Sequence, residues 1–273
     1  MEPYRFTWQE NQYWGSCEPC TASVFATQVR SGSVAWKIGT RQAIEKAVRE
    51  GLPLDEFTRL TDFQKWRIQQ ECRPKAGDKF AALSTAEKLL QWAQMLKNSL
   101  PDFVFAVREF GLVPRTDKDG NPKLDKDGNP VMYRRRKQEN IRHLSGLFMS
   151  DFDHLPFPPQ ELYERTRRPG FPWKVRLAHL TSSGYGLRLV CEWNLEAGRI
   201  VDNQYLLARE LGVLGVKDTS GKKFVTDNSC VNADRLSYCP RLQDILYIDE
   251  DNLFNFFNPL NIKRNGRESF SNE

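Results

Sequence analysis

Long apolar runs are missing from this chain. No stretch approaches the roughly 20 residues that a bilayer-spanning helix needs, and the opening MEPYRFTWQENQYW lacks the basic-then-apolar order of a secretory leader. Both absences point to a soluble chain, with the cytoplasm as the expected location and no membrane partner. Histidine is scarce, at three in 273 residues. Of the six cysteines only Cys17 and Cys20 form a CxxC. A structural zinc site takes about four ligands, and neither a second CxxC nor an HxxxH supplies the other half. The spacing of Cys230 and Cys239 is a poor match, and Cys191 sits in an apolar strand pattern that makes it a packing residue. The thiols are expected to be reduced. A P-loop is missing as well: in LGVKDTSGKKF (214–224) the GxxxxGK[ST] spacing fails.

What is present is an ordinary globular composition, 40% hydrophobic and 27% charged, long enough for a sizeable core. The net charge of +5 is a mild excess that permits a polyanionic partner without demanding one. Its distribution says more. MYRRRKQENIRH (132–143) and YERTRRPGFPWK (163–174) concentrate base on both sides of SGLFMSDFDHL (145–155). Two solvated faces would look the same, but basic clusters flanking a carboxylate pair suit a phosphate-rich ligand.

Helical spacing predicts helices at 40–52, ending at a glycine, at 54–72, and at 84–100, where Ser84 and Glu87 form a capping box and Pro101 stops the helix. DFVFAVREFG (102–111) reads as a strand. DKDGNP then occurs twice, at 117–122 and 125–130. An EF-hand register would put Arg115 at its first ligand position, so the pair reads as turn chemistry in an exposed hairpin or loop. From 144 onward the pattern is regular: strand, helix 158–168, strand 174–183, a GYG turn, strand 187–193, helix 199–213, and a further strand or two within 222–240. The expected class is α+β, with an RRM-like/ferredoxin-like β-α-β-β-α-β core. Three regions follow: a mainly helical layer (1–110) packing on the core, the core itself (111–257), and a polar tail (258–273) expected to be disordered.

In a strand, residues i and i+2 share a face. Asp151 and Asp153 therefore project together while Phe152 turns away. Two like charges so close call for a compensating cation, and hard oxygen ligands suit Mg2+ or Mn2+. A pair of ordinary surface aspartates at a strand end has the same spacing. TSSGYGLRLV adds a glycine turn that lets backbone N–H groups approach phosphates. VTDNSCVNADRLSY adds a third carboxylate, Asp227, and Arg235, whose planar fork suits a triphosphate. Asp218 and Asp234 are rival third carboxylates by spacing.

An apolar strand ending in DFD, then SGYGLR, then D…R before a strand, resembles the archaeo-eukaryotic primase superfamily. The likeness is to its branch in phages and bacterial mobile elements, the primase-like domain found beside virulence-protein E-like N-termini. LKNSLPDFVFAVREFG and NADRLSYCP share it, and it covers roughly residues 85–257. The resemblance implies a DNA primase/polymerase: template-directed nucleotidyl transfer from nucleoside triphosphates on single-stranded DNA, with two Mg2+ or Mn2+ ions. Carried over by position, Asp151, Asp153 and Asp227 would be catalytic and metal-binding. Ser183, Gly184, Gly186, Arg188 and Arg235 would contact the nucleotide. Many members have histidine where this chain has Arg188, which cannot shuttle a proton but binds phosphate as a permanent cation. Arg134, Arg135, Arg136, Lys137, Arg165, Arg167 and Arg168 would hold template or primer phosphates, and a helicase or other replication protein would be a partner chain.

Two alternatives share a single-stranded substrate. A replication-initiator nuclease needs histidines paired around an apolar residue, and His143, His154 and His179 form no such pair. His154, directly after DFD, is a minor ligand or a surface residue. A non-catalytic nucleic-acid module would stack bases on aromatics such as Phe148 or Tyr185, but carboxylates near nucleic acid cost affinity unless a metal neutralises them.

Overall fold

A computed structural model describes residues 2–12, 15–51, 61, 62, 66, 85–153, 155–217, 221, 223, 224 and 232–255. Strands β1 (Tyr4–Gln9) and β2 (Glu18–Thr21) open the chain and lead into helices α1 (Ala22–Val29) and α2 (Gly32–Glu50). The Thr21 hydroxyl caps α1 by accepting from Val24 N (3.3 Å). Gly51, at φ 65°, closes α2 in the left-handed conformation, as the sequence predicts for that glycine. Helix α3 (Thr85–Asn98) is followed by β3 (Asp102–Val104), β4 (Val107–Phe110), β5 (Leu112–Pro114), β6 (Met132–Arg134), β7 (Ile141–Leu144) and β8 (Leu147–Phe152). Then come α4 (Pro159–Thr166), β9 (Val175–Leu180), β10 (Leu187–Glu192), α5 (Ile200–Glu210), β11 (Ser237–Tyr238), β12 (Ile245–Ile248) and α6 (Glu250–Phe254). The class is α+β with antiparallel sheets. The helix expected at 54–72 and the tail 258–273 lie outside the described residues, apart from Thr61, Asp62 and Trp66.

One sheet has the order β11-β3-β1-β2 and the other β12-β9-β10-β8. All of β10 is buried and its sides alternate: Leu187, Leu189 and Cys191 face one cluster, while Val190 faces another. The first cluster packs against Leu162 of α4 and Ile200, Leu207 and Ala208 of α5. The second lies between the sheets, joining Leu147, Met149, Leu177 and Val190 to Phe6, Phe103 and Phe105. The rings of Phe6 and Phe105 are 4.7 Å apart, those of Phe25 and Phe103 4.9 Å. Chain segments from residue 6 to residue 254 meet in this one cluster.

Two expectations are corrected. The region 1–110 holds helices α1, α2 and α3 together with strands β1 to β4, and the single strand expected at 102–111 is broken at Phe105–Ala106. Residues 103–107 are all buried, so no alternation marks the break, and β3 pairs with β1 while β4 pairs with β7. The strand after α5 also departs from the expected core. Strands β8, β9 and β10 with α4 form a split β-α-β unit, because β10 lies between β8 and β9 and is antiparallel to both. The next strand, β11, leaves for the other sheet and pairs with β3, and β12 takes the outer edge of β9.

Buried ions bind the N-terminal strand to this arrangement. Arg5 is fully buried, with Nε donating to Ser145 O (2.9 Å) and Nη1 to Asn252 O (2.8 Å). Its Nη1 lies 3.5 Å from Glu192 Oε1, the same oxygen that accepts from Arg176 Nη2 (2.8 Å), and Arg176 also pairs with Asp249. Burial pulls the Arg5 guanidinium down to about 10, against the pull of Glu192.

The repeated DKDGNP is exposed, as expected. In each copy the first aspartate, Asp117 or Asp125, closes a turn on its own backbone: Asp117 Oδ1 accepts from Asp119 N and Asn121 N, each at 2.9 Å.

Candidate active site between the sheets

Strand β8 carries Leu147, Met149 and Asp151 on its inter-sheet side, with Asp153 one residue past the strand end. The pairing register sets Asp151 opposite Arg188 of β10, and Arg188 opposite His179 of β9. A polar row thus crosses three strands at the end of an apolar cluster. Arg188 grips Asp151 in a fork, Nε to one carboxylate oxygen and Nη2 to the other, while Nη1 donates to Ser237 Oγ of β11 (2.9 Å). Both side chains of the pair are only 8% exposed.

Asp153 accepts from Thr181 Oγ1 (3.0 Å), and the Thr181 and Ser183 hydroxyls are 3.1 Å apart. The turn between β9 and β10 is the tight one expected from GYG. Thr181 N donates to Gly186 O and Gly184 N to Thr181 O, each at 2.8 Å, and Gly184 sits at φ 83°. Gly186 has its own reason to lack a side chain: a Cβ there would overlap the Asp153 carboxylate and come within 2.8 Å of Thr181 Oγ1.

Helices α2 and α3 bring cations that sequence reasoning missed. Arg41 Nη1 donates to Ala93 O (3.0 Å) and Nη2 pairs with Glu45 (2.8 Å). Lys97 Nζ lies 4.9 Å from the centre of the Tyr238 ring. Burial lowers the Lys97 pKa first, then Arg41 and Arg188 lower it further, with Asp153 and Asp151 pulling the other way. Lys97 therefore lies in the field of every charged member of the site. Arg49 stacks 4.1 Å over the Tyr185 ring, tying α2 to the glycine turn. On a sequence these are polar residues of amphipathic helices, with no spacing that singles them out.

Asp151, Asp153, Ser183, Gly184, Gly186 and Arg188 are thus brought together. Asp227, Asp218 and His154 lie outside the described residues. Arg235 is exposed on the turn before β11. The basic stretches are engaged by local partners. Arg134 pairs with Glu18 (3.2 Å), Lys137 with Glu139 (3.0 Å), and Arg136 donates to Asp234 O (3.1 Å). Arg165 pairs with Glu161 (2.8 Å), Arg167 with Glu164 (3.2 Å) and Arg168 with Glu210. Exposed pairs of this kind are worth about 0–1 kcal/mol, so a phosphate can displace them. Arg135 offers its carbonyl to Asn140 (3.2 Å).

Asp151 and Asp153 suit a hard divalent cation in donor chemistry and in sharing a side, but both Asp151 oxygens face Arg188. Among the described residues no group of three His, Cys, Asp or Glu side chains forms a metal cluster. Cys17 and Cys20 are buried, and burial pushes the Cys17 thiol up to about 12 and the Cys20 thiol well above its ordinary value.

Two further buried groups border the site. Asp102 of β3 is fully buried, and among the described residues no donor lies within hydrogen-bonding geometry of either carboxylate oxygen. Burial raises its pKa to about 7, partly offset by the nearby Gln9 amide, whose Nε2 donates to Asn11 O (2.9 Å). His179 is 1% exposed, with Nδ1 against Leu180 O (2.7 Å) and Nε2 without a partner among the described residues. Burial, then Arg188, lowers its pKa to about 4. These shifts act oppositely on stability. Between about pH 4 and 6.5 the unfolded chain protonates His179 and the folded one does not, so stability falls as pH falls. Over about pH 4 to 7 the folded chain keeps the Asp102 proton and the unfolded one loses it, so stability falls as pH rises. The two contributions therefore offset each other in the wild type from about pH 4 to 6.5. Asp102→Asn removes one arm, and its unfolding free energy should rise with pH by about 3 kcal/mol over that window; His179→Leu should slope the other way. Urea unfolding at half-unit pH steps checks both, and parallel profiles for the two variants would contradict the assignment.

Comparison of the chain with protein families, with curated proteins and with solved structures finds no match.

Proposed function

We propose that this chain is a DNA primase/polymerase, a nucleotidyltransferase that joins nucleoside triphosphates on a single-stranded DNA template. The observation that carries the reading is the convergence of Asp151 and Asp153 with the Thr181–Arg188 turn, in the electrostatic field of Lys97 and Arg41, at one end of the packed layer between the sheets. The split β-α-β unit supports an RRM-like core beneath it.

Asp151, Asp153 and Asp227 would hold the divalent ions. When bound, Mg2+ or Mn2+ would neutralise charge on the triphosphate and favour the alkoxide form of the 3′-hydroxyl that attacks the α-phosphate, with pyrophosphate as the leaving group. The chain's own residues do the rest. Arg188 and Lys97 bind phosphate oxygens, Arg188 as a planar fork and Lys97 as a point charge. Ser183, on the glycine turn, holds and orients the chain of phosphates through its hydroxyl. The inter-sheet position keeps these groups fixed and partly shielded from water, so positioning and electrostatics carry the catalysis. Arg134–Lys137 and Arg165–Arg168 hold template or primer phosphates once their exposed acidic partners are displaced. Cytoplasmic replication of a phage or mobile element, with helicase activity on another chain, completes the reading.

A second reading has one observation in its favour. The Asp151–Arg188 pair closes the carboxylate, as a non-catalytic single-strand binding module would tolerate. Labelled nucleotide incorporation on single-stranded DNA separates the two. The expected result is incorporation with Mg2+ or Mn2+ that EDTA abolishes and added metal restores. DNA binding without incorporation, under every nucleotide and metal tried, favours the module and overturns the polymerase.

A further inference from the structure

Arg188 and Asp151 block each other. They stand directly opposite on paired strands, and each side chain is 8% exposed. A guanidinium fork on a carboxylate covers both oxygens that a hard cation would use. The same fork spends on Asp151 the N–H edge that a phosphate would take. Neither ligand reaches its residue until the pair opens, and opening is costly while either charge is left buried and alone. The third guanidinium contact, Nη1 to Ser237 Oγ (2.9 Å), sits on a different strand and gives the group a point to turn about. Arg41 stands in the field of Asp153, and Lys97 in that of Asp153 and Asp151.

We propose that Asp151 and Arg188 form an exchangeable latch, in which a triphosphate takes Arg188, a divalent cation takes the released Asp151, and each ligand strengthens binding of the other. The inference rests on the nucleotidyl-transfer reading of this site. Arg188 leaves Asp151 only for another concentrated negative charge, and Asp151 accepts the loss only when a cation replaces it. The coupling is reciprocal by thermodynamic necessity, and couplings of this kind are typically roughly 5–150-fold.

The test uses the full chain and two separate ligands. Mn2+ binding without nucleotide is read by electron paramagnetic resonance. Binding of a fluorescent nucleoside triphosphate in EDTA is read by anisotropy. Arg188→Gln is expected to bind Mn2+ alone at least about fivefold tighter than wild type. Asp151→Asn is expected to bind the triphosphate in EDTA at least about fivefold tighter, and that gain disappears in the double variant. Asp153→Asn removes a neighbouring carboxylate that is not the one in the fork, and gives the smaller gain of a general charge effect. Thermal melting confirms that each variant is folded. If Arg188→Gln is not, Arg188→Lys takes its place, keeping the charge but not the fork, with the same direction expected for Mn2+. Unchanged or weaker Mn2+ binding on loss of the fork overturns the latch, as does an equal gain in triphosphate affinity for Asp151→Asn and Asp153→Asn. Incorporation by the wild type without this coupling sinks the latch and leaves the polymerase. Coupling without incorporation does the reverse.

Discussion

Replacing Glu192 with alanine should cost the fold about 3–5 kcal/mol, the usual penalty for breaking a buried ion pair from one side. Glu192 Oε1 faces both Arg5 and Arg176, so its loss leaves two buried guanidiniums with Asp249 as the remaining carboxylate of the network. Arg5 is fully buried and already disfavoured in its charged form by that burial. Its hydrogen bonds to the Ser145 and Asn252 carbonyls stay, but they do not supply a counter-charge. A domain is typically stable by about 5–15 kcal/mol, so the variant should lose about a fifth or more of that and unfold at markedly lower urea. Glu192→Gln keeps the shape and one acceptor oxygen, and should fall between wild type and alanine. A midpoint for Glu192→Ala within about 1 kcal/mol of wild type, the range of exposed pairs, would show that the network is solvated and does not hold β1 in place.

Asp153→Asn should reduce nucleotide incorporation on the order of a thousandfold with little change in stability. The magnitude follows from several kcal/mol of charge stabilisation at the phosphoryl group, at tenfold for each 1.36 kcal/mol. An asparagine keeps the shape and can still accept the bond from Thr181 Oγ1 (3.0 Å in the wild type), so the fold has little to lose. Asp151→Asn should reduce incorporation by a similar factor but also lower the melting temperature, because it removes the counter-charge of a buried arginine. That difference between two carboxylates two residues apart separates their roles: incorporation and melting temperature, measured on the same preparations, should move together for Asp151 and apart for Asp153. Equal melting temperatures for the two variants would contradict the buried pair.

Much of the second sheet was legible in the sequence because its signals are local. LRLVCEW alternates between two apolar clusters, DFD places its carboxylates on one side, and GYG makes the turn its glycines allow. In the first sheet β3 and β11 fall within stretches expected to be strands, but β1 and β2 were not legible. YRFTWQ buries Arg5, Thr7 and Gln9 as well as Phe6, which erases the polar-apolar alternation that marks a strand. Those polar residues are buried because partners far along the chain satisfy them: Arg5 meets Ser145 and Asn252, and Thr7 donates to Val107 O (3.3 Å). The same limit applies to the site. Asp151 and Arg188 could be named from motifs, but not their mutual grip, since that depends on strand register. Arg41 and Lys97 arrive on helices whose docking is set by the core, from positions without a motif.

The central claim is that the DFD carboxylates at the end of β8 serve nucleotidyl transfer. Its most direct test compares wild type with the Asp151→Asn, Asp153→Asn double variant, using labelled nucleotides, single-stranded DNA and Mn2+, with both proteins shown to be folded. The account predicts metal-dependent incorporation by the wild type and none above background by the double variant. Equal incorporation by both, or none by the folded wild type with any nucleotide, template or metal, would contradict it.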